Sequence, residues 1–225
     1  MIYLTSDIHG MENIDRISPE NFPDRLPMTK KDFLIVCGDL CVFWNDSEKE
    51  RELRDRFEKF PFTTLFVDGN HENFDLLNAT PVSQWNGGNV HLMGKSLIHL
   101  MRGQMFHLEG SLFFTMGGGY SGDHYRRLEH KNWWRDEIPT REELTCGLET
   151  LKRFNWKADY VLTHGTSMRM IRKAGLNEKE TILKVYFDYL ENRMEFCHWY
   201  FGHFHKNQEI DERHTLIYDR IIRLT

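Results

Sequence analysis

The stretch Thr64-Leu65-Phe66-Val67-Asp68-Gly69-Asn70-His71-Glu72 predicts the class of fold that this chain adopts. Its first four residues are apolar or β-branched, and they lead directly into a polar turn that contains a glycine. Short uninterrupted runs of this kind are typical of strands that are buried on both faces of a sheet. Functional side chains in open α/β sheets gather where such strands end, which is the position of Asn70 and His71.

Four other segments repeat this arrangement of a short apolar run followed by a polar turn. We predict strands at 2–5, 33–37, 160–162 and 199–201, in addition to the strand at 64–67. The candidate functional residues in the turns behind these four strands are Asp7, His9, Asp39, His164, His203 and His205.

The spacing within the turns predicts how their side chains are presented. Asp7 and His9 are two residues apart, and period-two alternation in an extended chain points both to the same side. The Gly-His-x-His turn at 202–205 repeats this spacing. A glycine precedes Asp39 and another precedes Asn70, and we expect each glycine to permit a tight turn that presents the next polar side chain.

The segments between the strands predict an α/β fold. Helices are expected at 47–59, 140–155 and 181–193, and the second opens with the capping-box pattern Thr140-Arg141-Glu142-Glu143. The segments 90–116 and 208–224 alternate β-like pieces with turns, as in antiparallel hairpins. The pattern favours a mixed α/β sandwich with strands inside and helices outside.

Length and composition limit the domain count and the cellular setting. The chain has 225 residues without an internal repeat or a Pro/Ser-rich linker, so we predict a single domain over 1–225. No apolar run approaches the roughly 20 residues that span a bilayer, and the first residues read as a strand instead of a leader. The four cysteines are widely scattered, as expected for reduced thiols. We therefore expect a cytoplasmic protein without membrane contact, and the sequence leaves its oligomeric state open.

The charge balance bears on the partner. The chain carries 29 basic and 34 acidic side chains and a net charge of -5. This balance disfavours nonspecific binding of nucleic acid through bulk charge, although it allows a local basic groove.

The polar turns together offer the donors of a metal site. They supply two carboxylates, one amide oxygen and several imidazoles, a mixed set that suits divalent Mn, Fe or Zn. Seven donors are too many for one tetrahedral zinc ion, but they suit two ions that share a bridging carboxylate.

These motifs, taken in order, resemble the five signatures of the calcineurin-like metallophosphoesterase superfamily. The resemblance extends from residue 7 to residue 205 and implies a four-layer α/β/β/α sandwich with a dinuclear metal centre at the strand ends. The first ion would be held by Asp7, His9 and His205 and the second by Asn70, His164 and His203, with Asp39 as the bridge.

His71 would not be a ligand, because in this pattern it protonates the leaving oxygen or stabilises the phosphoryl charge. The implied cofactors are two divalent ions per chain, with Mn expected and Fe or Zn as alternatives. Ligand histidines need an acceptor on the other ring nitrogen, for which Asp68 and Glu72 are nearby candidates.

The sequence departs from one branch of this superfamily at 38–44. The protein Ser/Thr phosphatases carry Gly-Asp-x-x-Asp-Arg-Gly here, whereas this chain reads Gly-Asp-Leu-Cys-Val-Phe-Trp. The acidic partner of the catalytic histidine and the phosphate-binding arginine are therefore missing from their usual place. The chain is instead similar to a small bacterial and phage branch.

The segment 117–137 is the candidate for substrate recognition, since a similar segment occurs in that branch. Arg127 and His124 are the predicted substrate-binding residues, because a guanidinium can bind phosphate through two parallel hydrogen bonds. Trp133 and Trp134 could stack on a base. The alternative is an exposed loop whose tryptophans pack on the sandwich.

The sequence favours a metal-dependent phosphatase that acts on a phosphomonoester through a metal-activated water. The alternative enzyme is a phosphodiesterase or nuclease acting on cyclic nucleotides or nucleic acid. A different class remains open, a non-catalytic scaffold with the same fold. The expected partner is a phosphorylated small molecule, nucleotide or protein, and nucleic acid is not favoured.

Overall fold

A seven-stranded sheet and a six-stranded sheet form the centre of the computed structural model, which describes residues 1–45 and 47–224. The strands of the first sheet are β1 (Ile2–Thr5), β2 (Phe33–Cys37), β3 (Thr63–Val67), β4 (Val82–Trp85), β5 (Gly88–Leu92), β6 (Leu97–Leu100) and β13 (Ile222–Arg223). Those of the second sheet are β7 (Gln104–Leu108), β8 (Ser111–Met116), β9 (Lys157–Thr163), β10 (Glu195–Phe201), β11 (Gln208–Asp211) and β12 (His214–Leu216).

Both sheets are mixed, with parallel strands in the middle. The first sheet has the order β13-β1-β2-β3-β6-β5-β4. Its four consecutive strands β1, β2, β3 and β6 run parallel to one another. The second has the order β11-β12-β10-β9-β8-β7, with β12, β10, β9 and β8 parallel. Antiparallel strands close the edges of both sheets. The parallel arrangement brings the carboxyl ends of β1, β2 and β3 to one edge, where the polar turns begin.

The helices cover the outer faces of the two sheets. They are α1 (Glu48–Lys59), α2 (Phe74–Ala79), α3 (Arg141–Arg153), α4 (Met168–Lys173) and α5 (Ile182–Arg193). One buried apolar cluster lies between the sheets and includes Leu4, Ile35, Leu65, Phe113 and Leu162. A second joins the outer face of the first sheet to α1, and a third joins the second sheet to α3 and α5. The four-layer α/β/β/α order that the resemblance implies is confirmed.

The sequence predicted the long elements more accurately than the short ones. The capping box at the start of α3 is present, because Glu143 N–H donates to Thr140 Oγ1 at 3.2 Å and Thr140 N–H donates to Glu143 Oε2 at 2.7 Å. The short helices α2 and α4 and the strand β4 were not predicted, since each has only four to six residues. None of the helices within 1–45 and 47–224 has the length and apolar character needed to cross a bilayer.

Candidate metal centre

The first group of predicted ligands meets at the ends of β1 and β10. His205 Nε2 lies 3.2 Å from Asp7 Oδ1, and His9 Nε2 lies 3.1 Å from His205 Nε2 and 3.9 Å from Asp7 Oδ1. These three side chains present their donor atoms within 4.8 Å of one another. The structure thus brings together the residues that the resemblance assigns to the first ion.

The second group meets at the ends of β3, β9 and β10. His164 Nε2 lies 3.0 Å from Asn70 Oδ1 and 3.2 Å from His203 Nδ1. Asp39 Oδ2 is 3.4 Å from His164 Nε2 and 3.7 Å from His9 Nε2. Its carboxylate therefore lies between the two groups, at the position required of a bridge.

The backbone of the turns differs from the predicted alternation. β1 ends at Thr5, and Asp7 and His9 have φ angles of 52° and 50°, in the left-handed region. His203 and His205 are also left-handed, with φ angles of 75° and 46°. Asp7 and His9 do reach the same centre, as expected, but the extended backbone that was expected to place them there is wrong. Left-handed backbone in residues other than glycine costs about 1–3 kcal/mol per residue and persists only where the surroundings enforce it.

Hydrogen bonds between neighbouring turns enforce this conformation. Asp7 N–H donates to the Gly38 carbonyl at 3.1 Å, and His9 N–H donates to the Asp39 carbonyl at 2.9 Å. His203 N–H donates to Asp7 Oδ2 at 3.1 Å. Because each turn is held by the next, the ligand positions are set by contacts that only the folded chain makes.

Two glycines allow the close approach of side chains to the backbone at the centre. A Cβ on Gly69 would lie 2.0 Å from Asp39 Oδ1, and a Cβ on Gly202 would lie 1.9 Å from Ser6 Oγ. Gly69 was expected to supply a tight turn, but its φ is not in the left-handed region. The glycine is needed there because the Asp39 carboxylate occupies the space of a side chain.

The donors fit a pair of divalent cations. Asp7 Oδ1 is buried and lacks a hydrogen-bond partner among the described residues. Ring nitrogens of two histidine pairs face each other at 3.1 and 3.2 Å, a distance at which two lone pairs would repel unless a proton or a cation lies between them. Carboxylate, amide and imidazole donors together suit a first-row divalent ion.

The electrostatics of the centre keep its bridging carboxylate ionised. Burial alone would raise the pKa of Asp39, but the neighbouring His164, His71 and His9 hold that pKa well below its ordinary range. An ionised carboxylate between two ligand groups is the state that binds cations.

His71 lies beside the centre with its ring oriented by Arg127. Its backbone N–H donates to Asp39 Oδ1 at 2.8 Å, and its ring lies 5.3 Å from that of His9. Arg127 Nη1 is 3.4 Å from His71 Nδ1, and because a guanidinium can only donate, Nδ1 is the acceptor. Burial lowers the pKa of His71, Asp39 opposes this effect, and the Arg127 charge lowers the pKa further. The ring is thereby biased to be neutral, with its proton on Nε2.

Arg127 is the predicted substrate-binding residue that lies nearest to the chemistry. Its Nη2 donates to Asp123 Oδ2 at 2.9 Å, which fixes the guanidinium beside His71. The 117–137 segment therefore supplies an arginine beside His71, whereas the 38–44 turn lacks the phosphate-binding arginine of the protein Ser/Thr phosphatases. His124 contacts its own loop, since Nδ1 donates to the Ser121 carbonyl at 2.9 Å and the ring lies 5.4 Å from that of Trp133.

Trp134 is a core residue. It is 1% exposed, its Nε1–H donates to Asp75 Oδ2 at 2.7 Å, and its ring meets Trp44 edge-on at 5.1 Å. The idea that it stacks on a base was wrong, because its ring is buried against the sandwich. Trp133 is half-buried against His124.

The outer partners of the ligands were mostly missed by the sequence analysis. Asp68 accepts hydrogen bonds from His99 and Arg102, and Glu72 accepts from Leu40 N–H at 2.9 Å, so neither of these predicted acceptors orients a ligand histidine. His164 Nδ1 instead donates to the Cys37 carbonyl at 2.9 Å.

Two ligands of the second group are oriented by residues outside the motifs. Asn70 Nδ2 donates to Ser121 Oγ at 3.1 Å, and that hydroxyl donates to Glu137 Oε2 at 2.6 Å. His203 Nε2 donates to Glu178 Oε1 at 2.6 Å. No short spacing marks these residues, because they lie 25 or more positions from the ligands that they contact.

Helices cover both sheets, and carboxylate, amide and imidazole side chains meet at the strand ends. This arrangement is typical of a metal-dependent hydrolase. A sequence model of the calcineurin-like phosphoesterases matches residues 1–207, and the chain belongs to this family of phosphoester hydrolases. The resemblance read from the five motifs is thus confirmed, and it favours an enzyme over a scaffold.

Two curated relatives are lariat debranching enzymes. The chain is 28% identical over 96 residues to lariat debranching enzyme A of Xenopus laevis, and 34% identical over 83 residues to the enzyme of Schizosaccharomyces pombe. These matches cover 36% and 31% of this chain but only 18% of each relative.

Among solved structures, the chain is similar to the sulfate thiohydrolase SoxB of Thermus thermophilus in complex with glycerol. The similarity covers 97% of this chain and 51% of that chain, with 12% identity and a TM-score of 0.44. This likeness is too distant to bear on the activity.

Proposed function

We propose that this protein is a metal-dependent phosphatase that hydrolyses a phosphomonoester. The observation that carries the proposal is the convergence of two ligand groups on Asp39, with His71 and Arg127 directly beside them. The first ion would be held by Asp7, His9 and His205 and the second by Asn70, His164 and His203, with Asp39 shared. We further propose Mn as the metal, the cytoplasm as the location, and a phosphorylated small molecule, nucleotide or protein as the substrate.

When bound, two divalent ions would supply hydroxide near neutral pH and neutralise phosphate oxygens. The side chains of the centre fix where a phosphate can bind. Asp39 and the histidines define one face of the site, and Arg127 adds a positive charge next to His71. A phosphoryl group bound between them would have its leaving oxygen within reach of the imidazole.

His71 is proposed as the hydrogen-bond donor that stabilises the negative charge developing on the leaving oxygen and the phosphoryl group. Its Nδ1 accepts from Arg127, so the proton of the neutral ring is on Nε2, the atom free to face the substrate. A preorganised hydrogen-bond donor to developing negative charge typically contributes about 10²–10³-fold to kcat.

The test compares p-nitrophenyl phosphate with bis(p-nitrophenyl) phosphate in the presence of Mn²⁺, with an EDTA control. His71→Ala is the informative variant, and His107→Ala is its matched control because His107 is exposed on β7. Hydrolysis of the monoester that requires metal and His71 supports the proposal. Wild-type protein that binds two ions per chain and hydrolyses neither ester would contradict a general phosphatase.

A second candidate, hydrolysis of a phosphodiester, is favoured by the two curated relatives. Their names describe debranching of a lariat, a reaction on a branched substrate instead of removal of a terminal phosphate. A clear preference for bis(p-nitrophenyl) phosphate in the same assay would select this candidate.

A further inference from the structure

A buried ion pair lies behind the second ligand group. Glu178, in the loop between α4 and α5, places Oε1 at 2.6 Å from His203 Nε2 and Oε2 at 2.6 Å from Lys184 Nζ. The side chains of Glu178 and Lys184 are only 13% and 4% exposed. Neither residue belongs to the five motifs, and the Glu178 carboxylate lies within hydrogen-bond distance of the His203 ring.

We propose that Glu178 is a positioning residue that holds His203 in the tautomer and ring orientation needed to bind the second cation. This inference rests on the metal centre of the proposed function. An ionised carboxylate can only accept, so the proton of His203 lies on Nε2 and its lone pair on Nδ1. Nδ1 is the atom that faces His164 Nε2 at 3.2 Å. A carboxylate that orients a ligand histidine in this way raises metal affinity, typically by about 10- to 100-fold.

Lys184 fixes the carboxylate in turn. Its ammonium also donates to the Lys179 carbonyl and lies 5.2 Å from the centre of the Tyr120 ring, so it is held from three sides. Both oxygens of Glu178 are therefore engaged, one by Lys184 and one by His203. The side chain cannot rotate away from His203 without leaving a buried ammonium unpaired, which is costly.

A purely structural role is the competing explanation, in which Glu178 only neutralises Lys184. Three substitutions separate the two roles. Glu178→Ala removes the acceptor for His203, Glu178→Gln keeps a neutral acceptor of the same shape, and Lys184→Met leaves the acceptor in place. Glu180→Ala is the matched control, because Glu180 is exposed two residues away.

The experiment is a titration of the metal-free full chain with Mn²⁺ alone, followed by electron paramagnetic resonance. The wild type should bind two ions per chain and give the signal of a spin-coupled pair. In Glu178→Ala the first dissociation constant should be unchanged and the second about 10- to 100-fold weaker, so that one equivalent gives an isolated six-line signal. Glu178→Gln should recover part of this loss, and Glu180→Ala should bind as the wild type does.

A second readout reports the tautomer directly. In ¹⁵N spectra of the metal-free protein, His203 should carry its proton on Nε2 in the wild type and should populate the Nδ1-protonated form in Glu178→Ala. Glu178→Gln serves as the test variant if Glu178→Ala does not fold.

The positioning role of Glu178 and the proposed metal-dependent function would be contradicted by different outcomes. Unchanged constants for both ions in Glu178→Ala and Glu178→Gln, with only the melting temperature lowered, would overturn the positioning role. A wild type that binds no manganese pair would instead contradict the proposed function.

Discussion

Replacing Arg102 by glutamine should destabilise the whole protein, although Arg102 is not in the metal centre. The guanidinium is 6% exposed, and its Nε and Nη2 donate to Asp68 Oδ2 at 2.9 and 2.7 Å. Nη1 contacts Glu143 at the start of α3, and Nη2 also donates to the Asp136 carbonyl at 2.7 Å. One side chain thus joins the strand end before Gly69 to the 117–137 loop and to α3.

The magnitude follows from the burial of the partner. Asp68 is 1% exposed, and although burial opposes ionisation, Arg102 and His99 hold its pKa well below the ordinary range. Removing Arg102 leaves an ionised carboxylate in the interior with His99, at 3.1 Å, as its remaining side-chain partner among residues 1–45 and 47–224. Breaking a buried pair in this way typically costs about 3–5 kcal/mol. For a domain of this size that corresponds to a fall of roughly 6–20 °C in melting temperature.

Urea denaturation at pH 7 measures the free energy of unfolding, and three variants complete the design. Arg135→Gln is the matched control, since Arg135 is 82% exposed and its pair with Glu129 spans 3.6 Å; an exposed pair contributes about 0–1 kcal/mol. The variant Asp68→Asn and its combination with Arg102→Gln close a double-mutant cycle. The combination should recover part of the loss, because it no longer buries an unpaired charge. A cost below about 1 kcal/mol for Arg102→Gln, or strict additivity in the cycle, would refute the reasoning.

Four further predictions concern the centre and its surroundings. Asp39→Asn should lower metal occupancy and hydrolysis together, because it removes charge from the shared position; full activity with two ions bound would sink the assignment of the bridge. His71→Ala should keep both ions by metal analysis but lower turnover by about 10²–10³-fold on substrates with poor leaving groups, and an unchanged rate would exclude the role of His71 as a hydrogen-bond donor to the leaving oxygen. Arg127→Gln should reduce kcat/KM for the monoester more than for the diester, whose phosphate carries less charge, and equal losses would argue against a phosphate contact. Burial and the neighbouring His99 lower the pKa of His91 to about 4. Because the unfolded chain, with a His91 pKa of about 6.5, takes up a proton more readily than the folded chain, acid favours unfolding. The free energy of unfolding should therefore fall by about 2–3 kcal/mol as the pH drops from above 6.5 towards 4. Urea midpoints at pH 7 and 4.5 should show a smaller acid loss in His91→Gln, and an equal loss in both proteins would contradict this origin.

The strand ends and their polar turns could be predicted because the relevant signals are local. Each buried strand is an uninterrupted apolar run, and each candidate metal ligand follows within a few positions of its end. The predicted runs at 2–5 and 33–37 match β1 and β2, and the capping box at Thr140 marks the start of α3. The separate role of His71 beside the two ligand groups was implied by the resemblance to the metallophosphoesterase superfamily and not by local spacing.

The backbone of the turns could not be predicted in the same way. Alternation in an extended chain is the natural reading of Asp-x-His, yet Asp7 and His9 are left-handed. Their conformation depends on hydrogen bonds to the Gly38 and Asp39 carbonyls, which lie on the neighbouring strand end. Such bonds exist only after β1 and β2 have paired.

The amino-acid sequence determines which donors reach the strand ends, since a buried strand and its turn are specified by adjacent residues. The tertiary structure alone decides what holds those donors in place. Arg127 reaches His71 across 56 positions, Ser121 reaches Asn70 across 51, and Glu178 reaches His203 across 25. No periodicity connects residues so far apart; packing of loops on the two sheets brings them together, and their hydrogen bonds then select one tautomer and one orientation for each side chain.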